Sequence, residues 1–261
     1  MPRLLAYNFW SRLYIEGGSP AELDTPEALR GVLRGLLAGT ASSSLFIKPI
    51  NGSSGKGTRK VAGSADDLSA EALAELHRHL LTANFLFQET VVQHPGLDRL
   101  NPSSVNTIRI DTYKNAEGRV EVISALLRVG LAGSVVDNSS QGGLFLGIDM
   151  EHGTLKGPAI RDLAAGALVY AEHPDTHVLF DGFPVPHFDL VRRLAARAAD
   201  LMPPALVGWD VAVAPDGPRL IEGNTLYYGM EMSDMSYGGY RKHPVVQQFL
   251  KDARDRTGPA R

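Results

Sequence analysis

Lys48 and the residues after it are the first place in the 261-residue chain where side-chain type and spacing point to chemistry. Lys48 stands in the apolar run Leu45-Phe46-Ile47-Lys48-Pro49 and is the first lysine of the sequence. It leads into Asn51-Gly52-Ser53-Ser54-Gly55-Lys56-Gly57. Successive small residues expose backbone N–H groups and let a loop close over an anion. A Walker phosphate loop needs G-x-x-x-x-G-K-[ST]; Ile50 takes the first glycine's place and Gly57 follows Lys56, so that motif fails. A Gly/Ser loop alone is commonly a flexible turn, but a lysine on an apolar strand is costly without an anion partner.

Asp210, Glu222 and Asn224 form a second group, in Gly208-Trp209-Asp210-Val211 and Leu220-Ile221-Glu222-Gly223-Asn224. On a hairpin, alternation puts Glu222 and Asn224 on one face, where both can meet Asp210 across the ladder. Two carboxylates and an amide oxygen suit Mg²⁺ bridging phosphates; the plainer alternative is a solvated hairpin face. Arg109 and Arg128 are the third group, each within apolar company on an expected strand. They are surface cations or, together, a fork-like site for phosphate or carboxylate.

Other chemistries fit less well. His77-Arg78-His79 lacks i, i+4 metal spacing, and His173, His177 and His187 lie in turn-rich sequence without an HExxH pattern. No G-x-S-x-G elbow is present. Glycoside hydrolysis needs only two carboxylates, but it leaves Lys48 and the glycine loop unexplained. The absence of cysteine excludes disulfides, a thiolate nucleophile, Cys-ligated zinc and iron–sulfur clusters. With 26 Lys and Arg against 29 Asp and Glu, a nucleic-acid partner is not expected. No apolar run reaches membrane-spanning length and the start lacks a signal-peptide pattern, so a soluble, cytoplasmic protein is expected.

The elements that must position these residues follow from periodicity and punctuation. Residues 1–44 look least like a packed unit, with one helix over 22–37, Asp24 or Thr25 as N-cap, Pro26 at its first position, and a linker over 39–44. Strand 45–49 pairs back with 59–61, a helix runs to about Leu81, and 85–92 is a strand. Strands 106–113 and 120–129 pair across the turn 115–118, followed by a Gly-, Ser- and Asn-rich stretch over 130–143 and strand 144–148. Helix 188–201, hairpin 207–213 with 219–221 and helix 245–254 complete an α+β chain with mainly antiparallel sheets.

Taken in order, these pieces resemble the ATP-grasp fold: two small lobes of antiparallel sheets flanked by helices, here with a reduced N-terminal lobe. Phe46-Ile47-Lys48-Pro49 with its loop resembles the nucleotide lysine and phosphate-covering loop, Gln88-Glu89-Thr90-Val91 the hinge strand, and Asp210 with Glu222-Gly223-Asn224 the magnesium carboxylates. Within that superfamily the chain resembles the sugar-transfer-associated ATP-grasp family, related to the α-L-glutamate ligase-like proteins. The carrying phrases are Val92-Gln93-His94-Pro95, Leu100-Asn101-Pro102-Ser103-Ser104-Val105-Asn106-Thr107-Ile108-Arg109, His173-Pro174-Asp175-Thr176 and Gly208-Trp209-Asp210. The resemblance covers about residues 45–225 and implies residues 1–44 as a reduced segment and linker, 45–92 as the small lobe and 93–261 as the large one.

The resemblance also implies roles. Lys48 would contact nucleotide phosphates and adenine; Gly52, Ser53, Ser54, Gly55 and Gly57 would close over the phosphates. Gln88, Glu89 and Val91 would frame adenine, with Gln93 near the ribose. Arg109 and Arg128, with Lys48, would hold the transferring phosphoryl and the substrate carboxylate. Asp210, Glu222 and Asn224 would ligate Mg²⁺. Asp137-Asn138 and Gly142-Gly143 resemble a substrate-side loop, and 230–240, rich in Met and Tyr, lies on the expected acceptor side. Only 47 residues precede Lys48 and none is lysine, where ATP-grasp enzymes usually carry a second phosphate-contacting lysine. Arg30 or Arg34 standing in, a partner subunit completing the site, or no such contact are the alternatives, and a homodimer is the expected oligomer. The implied activity is ATP-dependent joining of a carboxylate to an amine through an acyl phosphate. The alternatives are a phosphotransferase on the same site or a nucleotide-binding subunit of a polysaccharide-assembly complex.

Overall fold

The structure, a computed structural model, describes residues 1–51, 56–134, 137, 142–161, 166, 168–225 and 230–257, the last three as backbone only. The chain divides into two compact units, Pro2–Val92 and Gln93–Arg261, the second including Met1. Among the described residues no helix is long and apolar enough to cross a membrane.

The first unit contains β1 (Leu4–Phe9), β2 (Arg12–Ile15), β3 (Ala21–Glu22), α1 (Pro26–Ala38), β4 (Ser44–Pro49), β5 (Arg59–Ala62), a 3-10 turn at Ala65–Asp67, α2 (Ala70–Leu80) and β6 (Phe85–Glu89). Its sheet runs β3-β2-β1-β6-β4-β5, with every neighbouring pair antiparallel. Thr25 is the N-cap of α1, its Oγ1 accepting from the Ala28 amide at 3.1 Å, with Pro26 following at N1. Leu29, Leu33, Leu36 and Leu37 of α1, and Leu73, Leu76 and Leu80 of α2, line one side of each helix and share a core with Leu5, Leu13, Leu45, Ile47 and Phe87.

Residues 1–44 are therefore no loosely packed lead-in, contrary to the sequence expectation. β1 lies between β2 and β6 inside the sheet, and Leu5, Leu13 and Leu23 are buried. The strand was hidden because Leu4-Leu5-Ala6-Tyr7-Asn8-Phe9 places apolar residues on both faces and so lacks a polar–apolar alternation. Its one polar member is a structural hub. The Asn8 Nδ2 lies 2.9, 3.0 and 3.2 Å from the carbonyls of Trp10, Leu80 and Ala83, and its Oδ1 accepts from the Phe85 amide at 2.6 Å. Strand 85–92 is also shorter than expected, ending at Glu89.

The second unit contains α3 (Pro95–Asp98), β7 (Thr107–Lys114), β8 (Val120–Val129), β9 (Leu144–Ile148), β10 (Leu155–Arg161), β11 (Val169–Tyr170), α4 (Phe188–Asp200), β12 (Leu206–Ala214), β13 (Gly217–Asn224), α5 (Glu231–Ser236) and α6 (Pro244–Thr257). Its sheet runs β11-β10-β9-β8-β7-β12-β13 and is antiparallel throughout. Phe188, Val191, Ala195 and Ala199 of α4 pack on one sheet face with Ile108, Ile110, Leu127, Val211 and Val213. The opposite face carries Thr107, Arg109 and Asp111 of β7, Ser124 and Arg128 of β8 and Asp210 of β12, together with the apolar Leu126 and Ala212.

Candidate functional site

Register builds the site of the second unit. Arg109 on β7 lies opposite Asp210 on β12, and Asp210 lies opposite Glu222 on β13. One step along, Gly208 lies opposite both Asp111 and Asn224. Side chains of a strand alternate, so Thr107, Arg109 and Asp111 share a face with Asp210, Glu222 and Asn224. Between Asp210↔Glu222 and Val211↔Leu220 the register shifts, making Ile221 the extra residue of a bulge beside Glu222.

Glycine at 223 follows from packing. A Cβ there would sit 2.6 Å from the Trp209 ring. Trp209 is itself held by its Nε1–H, which donates to Thr112 Oγ1 at 2.8 Å.

Two arginines converge on one carboxylate. Arg109 donates through Nε to Asp210 Oδ1 and through Nη2 to Oδ2 at 3.1 Å, while Arg128 Nη2 lies 3.0 Å from the same Oδ2. Arg109 and Arg128 are each 8% exposed and Asp210 3%. Burial alone would raise the Asp210 pKa, but the charges of Arg128 and Arg109 and the hydrogen bonding of Arg109 outweigh it, holding the carboxyl below its ordinary value. Arg128 reaches Thr107 Oγ1 through Nε at 3.0 Å and Nη2 at 2.6 Å, and its Nε lies 3.7 Å from Asp137 Oδ2.

Behind this cluster lies a second buried carboxylate that the sequence reading missed. Asp111, fully buried, accepts from Ser124 Oγ at 2.7 Å and from Ser233 Oγ of α5 at 2.5 Å. Strict alternation along β7 from Arg109 was the signal that could have found both Asp111 and Thr107. Segment 230–240, expected as an acceptor loop, therefore contains a helix fastened to the sheet. Tyr237 adds to the anchorage by donating its hydroxyl to the Ala125 carbonyl at 2.7 Å, and burial pushes its pKa up to about 12.

The donor set for Mg²⁺ is coherent. Asp210 and Glu222 lie directly opposite each other across the ladder, and two neighbouring carboxyl groups call for a shared proton or a cation. Asn224 donates its Nδ2 to the Gly208 carbonyl at 3.3 Å, which turns its Oδ1 away from that carbonyl. These residues fit a hard cation as two carboxylates and one amide oxygen, with Asp210 shared with the arginines. Among the described residues no group of three His, Cys, Asp or Glu is gathered as for a metal ion.

In the first unit, Lys48 is half-buried on β4, opposite Leu86 of β6. Gly57 takes a φ of +76°, a Cβ on it would lie 3.2 Å from Pro49, and its carbonyl meets His79 Nε2 at 2.7 Å. Gly52, Ser53, Ser54 and Gly55 lie outside the described residues, as does Asn138. Gln88 is buried opposite Phe46, and Val91 is half-buried. Glu89 accepts from the Ala41 amide at 2.8 Å and pairs with Arg3 at 3.5 Å, tying its side chain to its own unit.

Other expected contacts are committed to structure. Gln93 donates Nε2 toward Asp98 at 2.8 Å and the Asn101 carbonyl at 3.0 Å, and accepts at Oε1 from the Asn106 amide at 2.6 Å. Both ends of its amide are used within the 93–106 segment, so the ribose role is not carried forward. Arg30 donates to the carbonyls of Ala65 at 2.6 Å and Leu68 at 3.0 Å, and Arg34 forks onto Asp66. Both arginines fasten α1 to residues 65–68, so the expectation that either takes the place of a second phosphate-contacting lysine is not carried forward. His173 is a scaffold too: fully buried, its Nε2 meets the Gly130 carbonyl at 2.9 Å.

Two units of antiparallel sheet with helices, the second presenting paired arginines and acids on one sheet face, define an ATP-grasp architecture. The sequence model described as sugar-transfer associated ATP-grasp matches residues 32–248, and the chain belongs to that family. The structure is similar to D-alanyl-alanine synthetase A from Vibrio cholerae O1, at 13% identity over 97% of this chain and 58% of that one, with a TM-score of 0.50. It is also similar to the ATP-grasp ligase PsnB bound to precursor peptide PsnA2 and AMPPNP, at 17% identity, 97% and 52% coverage and TM-score 0.47. A third is the biotin carboxylase domain of Hydrogenobacter thermophilus 2-oxoglutarate carboxylase with MgADP, at 12% identity, 90% and 38% coverage and TM-score 0.43. The chain thus spans about half the length of the first structures it matches. No curated protein sequence matches it.

Proposed function

We propose that this chain is an ATP-dependent carboxylate–amine ligase that works through an acyl phosphate. The observation that carries the reading is the convergence of Arg109 and Arg128 on Asp210, beside Glu222 and Asn224, in a member of an ATP-grasp family. Nearly buried guanidinium groups gathered on one sheet face are suited to the charge that develops on a transferring phosphoryl group.

In the proposed reaction a substrate carboxylate oxygen attacks the γ-phosphorus of ATP and the bond to the β–γ bridging oxygen breaks, releasing ADP. An amine then attacks the carbonyl carbon of the acyl phosphate, loses a proton, and phosphate leaves. Arg109 and Arg128 would orient and neutralise the phosphoryl oxygens and the acid, and Lys48 would contact the nucleotide. Mg²⁺, held by Asp210, Glu222 and Asn224, would supply charge neutralisation at the phosphates. No protein nucleophile is needed, in keeping with a chain that lacks cysteine.

Calorimetric titration with ATP, with and without Mg²⁺, on wild type and Glu222→Ala tests the reading. Micromolar, Mg²⁺-dependent binding that the substitution abolishes is the expected outcome; a folded wild type that binds no ATP would sink it. Hydroxylamine then separates the chemistries, because it captures an acyl phosphate as a hydroxamate, whereas transfer to a hydroxyl acceptor yields none.

A further inference from the structure

Arg128 is held by more than its contact with Asp210. Its Nε and Nη2 both donate to Thr107 Oγ1, at 3.0 and 2.6 Å. A guanidinium can only donate, so the hydroxyl proton of Thr107 must point elsewhere. It goes to Asp137 Oδ2, an oxygen that also accepts the Thr107 amide at 2.7 Å and lies 3.7 Å from Arg128 Nε. Thr107 and Asp137 are each 7% exposed. Direction runs one way through this chain: Asp137 must accept, which orients the Thr107 hydroxyl, which in turn presents its lone pairs to Arg128. With Nη2 also on Asp210, two of the three guanidinium nitrogens are fixed, and Nη1 has no partner among the described residues.

We infer that Asp137, acting through Thr107, is a positioning residue that locks Arg128 so that Nη1 meets the terminal phosphoryl of a bound nucleoside triphosphate. The inference rests on the nucleotide reading above and adds a division of labour. Arg109 is fixed by Asp210 directly, whereas Arg128 is fixed by Asp210 and, through Thr107, by Asp137, so Asp137 and recognition of the third phosphate are linked.

ADP and the ATP analogue AMPPNP, each with Mg²⁺, are the probes, since they differ at the third phosphate. Wild type should bind AMPPNP more tightly than ADP. Asp137→Ala and Thr107→Val should weaken AMPPNP by about tenfold while leaving ADP within about twofold, as expected for losing one charge-assisted contact. Thr107→Ser keeps the hydroxyl and should restore discrimination, which a role limited to packing the Thr107 methyl would not. The inference is overturned if Asp137→Ala and Thr107→Val weaken both nucleotides alike or neither, or if Thr107→Ser behaves as Thr107→Val. Equal affinity of wild type for ADP and AMPPNP would overturn it and leave the nucleotide reading standing. A folded wild type that binds neither probe would overturn both.

Discussion

On one face of the seven-stranded sheet, Ile108, Ile110, Leu127, Val211 and Val213 are sealed beneath α4; on the other, Arg109, Asp111, Arg128 and Asp210 are almost as inaccessible. The first face is stabilised by removing apolar surface from water, at about 25 cal/mol per Å². The second has its charges taken out of water, and the attraction among them offsets that cost only while each partner is present. One face is built to be stable and the other to hold charge in place.

Breaking the second face at its centre should give the largest effect. Asp210→Ala leaves Arg109 and Arg128 buried without their common partner and should lower stability by about 3–5 kcal/mol in urea unfolding. Removing the three central charges together sharpens the contrast. The triple variant Arg109→Met, Arg128→Met, Asp210→Leu should recover most of that loss, while the proposed nucleotide binding disappears. A triple variant as unstable as Asp210→Ala would show that the charges serve the fold.

The apolar face should respond differently. Leu127→Ala should cost about 2–5 kcal/mol through lost transfer energy and a cavity, with nucleotide affinity unchanged in the folded fraction. Tyr237→Phe, at the border of the polar face, should cost about 1 kcal/mol by losing its bond to the Ala125 carbonyl. It also has a pH signature. Because the folded pKa is raised to about 12 from 10, wild-type stability from this group is present below pH 10 and lost as pH rises toward 12. Tyr237→Phe should remove this group's share of the decline and one late-ionising tyrosine from an absorbance titration, leaving Tyr240, which burial also pushes up.

Much of the second unit was legible in the chain because its strands are long and its motifs lie at element ends. Arg109, Arg128, Asp210 and Glu222 could be named as a charged group, and the hairpin register put Glu222 opposite Asp210. What escaped were residues whose type is ordinary and whose meaning lies in who stands next to them. Thr107 reads as part of a strand, and Gln93 is expected near the ribose. Only their contacts reveal one as a relay to Arg128 and the other as the hub of the 93–106 segment. The N-terminal strands escaped for the opposite reason, since Tyr7 and Phe9 carry apolar surface on the exposed side.

The sequence by itself determined helices α1, α2, α4 and α6, with Thr25 as one of two candidate caps, the hairpin pairings β4–β5, β7–β8 and β12–β13, and the residue types able to hold phosphate and a hard cation. These are local properties, set by periodicity, turn chemistry and side-chain charge. Tertiary structure alone decided that both arginines share Asp210, that Asp137 reaches Thr107 across 30 residues, and that Arg30 and Arg34 serve α1. A buried charge is satisfied by whichever partners the sheet brings within about 3 Å, and that choice is made in space rather than along the chain.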